Sequence, residues 1–337
     1  FLMGNQSSEG SSHPFSRLSP EKILGVLDQL NLKTDARIFA LNSYENRVYQ
    51  IGLTDGSSRI VKFYRPGRWN EAQILEEHKF CTELVELGVP VSAPLNLGTE
   101  GTLARVQGFY VAMFDMLSGR APELDDETNL AIMGRFVGRI HAVGAQNCFS
   151  ERLEFSPERL GAMSREFLLS NDFLPPDLLR AYESLSQDLI LKVGKVFESD
   201  TPLAQIRIHG DCHFGNVLWN EEVPHFVDFD DSITGPAIQD LWMMLSGSRN
   251  DQQLQATQII KGYNEFYDFD LSEMRLVEGM RTLRLMSYSA WLARRWNDPT
   301  FPSTFRWFNT ERYWSEHILE LREQLALLHE PSLEVRL

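Results

Sequence analysis

The residues in this chain with the clearest chemistry lie in one run, His209-Gly210-Asp211-Cys212-His213-Phe214-Gly215-Asn216, with Asp228 twelve residues further on. The order H-G-D-x-x-x-x-N followed by V-D-F-D suits phosphoryl transfer from a nucleotide to a hydroxyl. Asp211 is the residue expected to orient the acceptor hydroxyl and take its proton. Asn216 and Asp228 offer hard oxygens for Mg²⁺, which keeps several waters and needs few protein ligands when phosphates complete its shell. Such a reaction asks for positioned charge more than for covalent participation. Asp228 follows the short apolar strand Pro224-His225-Phe226-Val227. Asp230 falls on the same face by strand alternation and is its main rival. A transition-metal cluster at His209-x-Asp211-x-His213 would leave Asn216 and Asp228 without a role, so His209 reads as a structural histidine bonded to backbone.

Three further groups fit the nucleotide side. Lys62 lies among Ile60, Val61, Phe63 and Tyr64, and a lysine inside an apolar strand needs a partner. It is assigned to the α- and β-phosphates, paired with Glu77 on the following helix, with Glu76 as second choice. Ser43, in the turn Leu41-Asn42-Ser43-Tyr44-Glu45-Asn46-Arg47, is placed to cap the phosphates. No G-x-G and no G-x-x-x-x-G-K-[ST] occurs, which excludes a Walker loop and the glycine-rich loop of a typical eukaryotic-type protein kinase. The strand Phe109–Met116, with Met113 and Asp115, suits an adenine slot. Asp240 opens a helix and is expected to brace the catalytic loop.

These groups need elements to hold them. Ser19-Pro20-Glu21 starts a helix whose apolar face carries Ile23, Leu24, Leu27 and Leu30. Strands fit about 37–41, 47–53 and 58–64, the last two joined by Thr54-Asp55-Gly56. A helix fits 70–87, and two more strands fit 102–106 and 109–116. Beyond about 125 the periodicity is helical, interrupted by the catalytic run. The fold class is therefore α+β, an antiparallel sheet followed by a larger helical region. The expected divisions are a disordered tail over 1–14, an ATP-binding lobe over 15–116 and a helical catalytic and acceptor-binding lobe over 117–330. Within the latter, Tyr288, Trp291, Arg294, Arg295, Trp296 and Phe305-Arg306-Trp307-Phe308 form an arginine and aromatic region suited to an acceptor.

The 337 residues suffice for two cores, and a net charge of −15 argues against a general nucleic-acid binder. Three cysteines give no disulfide framework, and no apolar run approaches the roughly 20 residues of a membrane span. A cytoplasmic protein is expected. The Cys212 thiol, beside two histidines and an aspartate, has an environment that shifts its pKa in either direction.

From about residue 15 to 330 the chain resembles the aminoglycoside phosphotransferase/choline kinase family, and within it the bacterial stress response kinase A (YihE/RdoA) group. The resemblance rests on the catalytic run, on Leu41–Gln50, Val61–Pro66, Leu75–His78 and Gly235–Trp242, and on Ala290-Trp291-Leu292-Ala293-Arg294-Arg295-Trp296, which is particular to the group. It implies a bilobal protein-kinase-like fold and a monomeric Ser/Thr protein kinase of the stress response, dependent on ATP and Mg²⁺. It carries Asp211 over as catalytic acid/base, Asn216 and Asp228 as metal ligands and Ser43 as an ATP-site residue. The wider family also phosphorylates small alcohols and amines, so a kinase of the aminoglycoside, choline or homoserine type is the alternative.

Overall fold

The computed structural model describes residues 13–123, 126–198, 202–221 and 223–337. Most of the expected disordered tail, residues 1–12, lies outside them. The chain gathers into two compact units. One takes in the chain as far as Asn70, then Leu95–Met116 and Arg295–Arg306; the other takes in Glu71–Pro94, Leu117–Arg294 and Trp307–Leu337.

The first unit begins with α1 (Pro20–Gln29). Ser19 accepts the Lys22 N–H through its hydroxyl, Pro20 takes the first turn, and Ile23, Val26 and Leu27 are buried. Five strands follow: β1 (Thr34–Ala40), β2 (Arg47–Leu53), β3 (Ser58–Phe63), β4 (Ala104–Val106) and β5 (Phe109–Asp115), in the order β1-β2-β3-β5-β4 and all antiparallel. The Asp55 carboxylate accepts both the N–H and the hydroxyl of Ser57, which fixes the β2–β3 turn. Val61 faces Met113 and Phe63 faces Val111 across β3 and β5. With Ile51, Val26, Leu27 and Phe15 they form the core of this unit. Lys62 pairs instead with Ala112, so its side chain leaves the opposite face of the sheet.

The second unit holds α2 (Glu71–Glu86), α3 (Glu127–Gly144), α4 (Met163–Ser170), α5 (Pro176–Phe197), α6 (Arg249–Tyr263) and α7 (Val277–Arg294). After α8 (Thr300–Thr304), in the first unit, α9 (Glu311–Leu327) returns to the second. Two small ribbons sit among the helices: β6 (Ile206–Ile208) pairs with β9 (Ile233–Gly235), and β7 (Val217–Asn220) pairs with β8 (Val223–Phe226). Helices α3 and α6 pack closely because Gly134 has no side chain; a Cβ there would overlap the Ile259 carbonyl. Their approach brings the His141 Nδ1 to 2.8 Å from the Tyr263 hydroxyl. The core runs from Phe80 and Leu84 of α2 through Met133 and Val137 of α3 to Ile259, Ile260 and Met280. Among the described residues, no helix is long and apolar enough to cross a membrane.

Candidate active site

Asp211, Asn216 and Asp228 all stand on turns at the ends of the two ribbons. β6 ends at Ile208 and delivers the chain into Gly210, whose φ of 85° is a left-handed conformation. A Cβ on Gly210 would overlap the Asp231 carbonyl oxygen, so the sharp exit needs glycine. Asn216 is tied at both ends: its Nδ2 donates to the Asp211 carbonyl at 3.0 Å, and its own carbonyl accepts the Val227 N–H at 2.9 Å. The two candidate metal ligands are thus held one residue from a shared backbone bond. Asp228 itself is exposed and left-handed, with φ 59°. Phe229 is buried between the rings of His209, at 4.4 Å, and Phe80, at 5.9 Å, and anchors the turn that presents Asp228. Its rival Asp230 is only 2 % exposed. The donor set, one carboxylate and one amide oxygen beside the acceptor-side Asp211, suits Mg²⁺ completed by phosphates and water.

His209 is structural, as its sequence context indicates. Its Nε2 lies 3.0 Å from the Val227 carbonyl and its Nδ1 accepts the Asp211 N–H at 3.4 Å, which sets the tautomer with the proton on Nε2. Behind it stands Asp240, fully buried. The Asp240 carboxylate accepts the N–H groups of His209 at 2.7 Å and Gly210 at 2.8 Å, and meets His141 Nε2 at 3.0 Å. Gln239 adds a bond from Nε2 to the Gly210 carbonyl at 2.9 Å.

The Asp211 carboxylate has a guanidinium and an imidazole as neighbours. Its Oδ1 accepts from Arg284 Nη1 at 2.6 Å, and its Oδ2 lies 3.4 Å from His213 Nε2. His213 Nδ1 accepts the Gly215 N–H, so its proton is on Nε2, toward Asp211. Burial alone would raise the Asp211 pKa. The hydrogen bond from His213 and the charge of Arg284 outweigh it and hold the carboxyl well below the usual carboxylate range. Cys212 is 1 % exposed, and burial with the nearby Asp240 and Asp211 pushes its thiol well up. It is no thiolate.

Arg152 braces the other side of this site. It is buried between α2 and the turn after Asp228, donating to the carbonyls of Gln73 at 3.0 Å, Ser232 at 2.6 Å and Asp230. Its Nη1 lies 3.5 Å from Glu77. Glu76 accepts the N–H groups of Ser150, Glu151 and Arg152 at 2.6 to 2.9 Å. Its carboxylate is therefore committed to backbone, while Glu77 is buried and turned inward.

The expected nucleotide residues of the first unit sit as follows. The Ser43 hydroxyl donates to the Asn46 carbonyl at 3.3 Å and closes the β1–β2 loop. Arginines, not glycines, shape this loop. Arg47 Nη1 donates to the carbonyls of Tyr44 and Asn46, and Arg65 Nε donates to that of Glu45. Arg295 forks onto the Glu45 carboxylate at 2.7 to 3.1 Å, and Asp298 accepts from Arg47 and Arg65 at 3.1 and 2.7 Å. Lys62 is 5 % exposed, with Nζ 4.8 Å from the centre of the Tyr64 ring. Met113 lies in the core, and its carbonyl accepts the Leu95 N–H at 2.7 Å. Asp115, at the exposed end of β5, pairs with Arg59 at 3.5 Å.

Sequence reasoning missed Arg284 and Arg152, since neither sits in a pattern that announces a partner. It also grouped Arg294 and Arg295 in one acceptor region. The structure separates them: Arg294 lies over the Phe167 ring in the second unit, and Arg295 holds Glu45 in the first.

Comparison with known proteins places the chain in a family. A sequence profile described as the phosphotransferase enzyme family matches residues 37–277. Stress response kinase A of Escherichia coli O157:H7 is 41 % identical over 325 residues, 96 % of this chain and 98 % of that protein. The serine/threonine protein kinase RdoA of Salmonella typhimurium (strain LT2) is 40 % identical over 321 residues, 95 % and 97 % of the two chains. Among solved structures, the amicoumacin kinase hAmiN in complex with AMP-PNP, Ca²⁺ and Ami superposes with a TM-score of 0.69 at 18 % identity, covering 90 % of this chain and 92 % of that one.

Proposed function

Because the chain belongs to the phosphotransferase enzyme family, we propose that it is an ATP- and Mg²⁺-dependent serine/threonine protein kinase of the bacterial stress response. The observation that carries the reading is the double tie of Asn216, to the Asp211 carbonyl on one side and to the Val227 N–H on the other. It keeps a proton acceptor and two metal-ligand oxygens on one rigid frame. Relatives named as stress response or serine/threonine kinases share about two residues in five with nearly the whole chain, so the protein acceptor is preferred to a small molecule.

In this mechanism Asp211, kept ionised by the His213 hydrogen bond and the Arg284 charge, accepts the hydrogen bond of the acceptor hydroxyl and aims its oxygen at the γ-phosphorus. The bond from the γ-phosphorus to the β–γ bridging oxygen breaks and its electron pair leaves with ADP. A new bond forms to the acceptor oxygen, whose proton passes to Asp211. Asn216 and Asp228 would hold Mg²⁺, which when bound neutralises charge on the β- and γ-phosphates. Ser43, Lys62 and the strand Met113–Asp115 serve the nucleotide. The enzyme acts as a cytoplasmic monomer.

The test is transfer from γ-labelled ATP with Mg²⁺ into a cell extract, with Asp211→Asn as control. Acid-stable label on protein Ser or Thr, absent with the variant, supports the proposal. Label confined to a small metabolite would replace the protein acceptor with a small one.

A further inference from the structure

Arg284 stands at the acceptor side of the site with most of its hydrogen-bonding capacity unspent. It comes from α7, 73 residues after Asp211, and reaches that carboxylate through Nη1 alone, at 2.6 Å. Its Nε and Nη2 make no hydrogen bond or ion pair among the described residues, and its side chain is 42 % exposed. A guanidinium presents donors in a planar fork. With Nη1 on Asp211, the Nε–Nη2 edge of this part-exposed side chain is left without a protein acceptor among the described residues, beside the group proposed to receive the acceptor's proton. That edge matches the two oxygens of a carboxylate or a phosphate.

The surroundings of Arg284 add direction. Arg281, Arg284, Tyr288 and Trp291 are spaced by three, four and three residues and share one face of α7. Arg281 is taken up by Glu278 and Gln252, which leaves Arg284 as the cation of this stripe beside Asp211. Tyr288 and Trp291 pack ring against ring at 5.6 Å, with Tyr288 37 % exposed. They lie four and seven residues beyond Arg284, roughly 6 and 10 Å along the helix axis. An extended peptide with its hydroxyl at Asp211 and an acidic side chain at Arg284 would run its next residues over these rings.

We infer that Arg284 reads the acceptor, selecting a hydroxyl that has an anionic group close by; for a protein substrate this is a serine or threonine next to an aspartate or glutamate. The inference rests on the kinase reading above. It adds a requirement on the substrate that the reading does not contain. A cationic amino alcohol, by contrast, would meet a like charge at Arg284.

Four acceptors separate the possibilities: two peptides that differ only by Glu or Gln beside a single serine, the anionic N-acetylserine, and the cationic 2-aminoethanol. Each is assayed for kcat and KM with the wild type, Arg284→Gln and Arg284→Lys. The Glu peptide is expected to be preferred by roughly ten- to a hundredfold in kcat/KM, the worth of one charge-assisted hydrogen bond, mainly through KM. Arg284→Gln should erase the ratio between the peptides. Arg284→Lys, which keeps the charge and loses the fork, should restore part of it. Equal use of the two peptides by the wild type would overturn the inference and leave the protein-kinase reading standing. Transfer to N-acetylserine alone, lost in Arg284→Gln, would uphold anionic selection while the protein-kinase reading fails. Transfer to 2-aminoethanol alone would overturn both.

Discussion

Asp240 Oδ2 accepts the backbone N–H of His209 at 2.7 Å across 31 residues of sequence. The same oxygen meets His141 Nε2 at 3.0 Å, so one carboxylate ties α3 to the loop that carries Asp211. Replacing it by alanine strands the N–H of buried His209, that of part-buried Gly210 and the buried His141 ring. Each such orphan costs about 1–3 kcal/mol. Asp240→Asn keeps one acceptor and should be milder. The expectation for Asp240→Asn is a kcat lowered about tenfold or more with a smaller change in the KM for ATP, and a lowered urea midpoint. A kcat within twofold of wild type would show that the loop stands without this brace.

Asp211→Asn should lower turnover by roughly two or more powers of ten, the usual loss for one preorganised catalytic contact. Nucleotide should still bind, because the residues assigned to it are elsewhere. Steady-state kinetics beside a fluorescent-nucleotide titration checks both halves.

Gly210→Ala places a methyl group against the Asp231 carbonyl at a left-handed φ of 85°. The backbone conformation alone costs an L-residue about 1–2 kcal/mol, and the overlap adds to it. A protein that unfolds at lower denaturant and has lost transfer activity is expected. Unchanged stability would mean that the loop has another way out of β6.

Two buried groups give stability opposite dependences on pH. Burial pushes the Glu273 carboxyl up to about 7 from 4.5, against the pull of the Ile238 N–H bond. The folded state then holds a proton that the unfolded chain has released, so this contribution is full below pH 4.5 and is lost as pH rises toward 7. Burial lowers His317 to about 4 from 6.5, so its contribution is full above 6.5 and is lost as pH falls toward 4. Between about pH 4.5 and 6.5 the two slopes oppose each other. Glu273→Gln should remove one of them, leaving stability that rises with pH in that window and exceeds wild type at pH 8 by up to about 3 kcal/mol. Urea unfolding at a series of pH values checks the sign. A variant with the wild-type slope would remove Glu273 from this account.

Arg295 and Glu45 should behave as a pair. Removing either lets the Ser43–Asn46 loop relax, and the KM for ATP is expected to rise severalfold. The double variant Glu45→Ala/Arg295→Ala should be little worse than either single, with a coupling of about 0.5–3 kcal/mol. Additive effects on ATP binding would separate the ion pair from the loop's function.

Much of this was legible in the chain because the informative signals are local. The five strands follow from alternation and from turn residues such as Asp55 and Gly56, and α1 from Ser19 and Pro20. Asp211, Asn216 and Asp228 lie within eighteen residues, so their spacing alone proposes their chemistry. The brace at Asp240 was foreseeable too, as a carboxylate entering a turn. Arg284 and Arg152 were not. Each acts across more than seventy residues, and an arginine on a helix or in a loop looks like any solvated one until its partner is known. Glu76 and Glu77 are neighbours on a helix and differ by about 100° in direction, so only the structure shows that Glu76 takes up backbone N–H groups while Glu77 is buried.

The ion-paired loop of the first unit has a consequence for how the chain is made. Arg65 is 4 % exposed and relies on Asp298, which is synthesised more than two hundred residues later. At about 5–20 residues per second, the ribosome needs roughly ten to forty seconds after Met116 to reach Asp298. Through that interval Arg65 has no Asp298 carboxylate and Glu45 no Arg295 clamp. A chain that ends after Asp228 but before Arg295 would hold the Ser43 loop without either of these late partners.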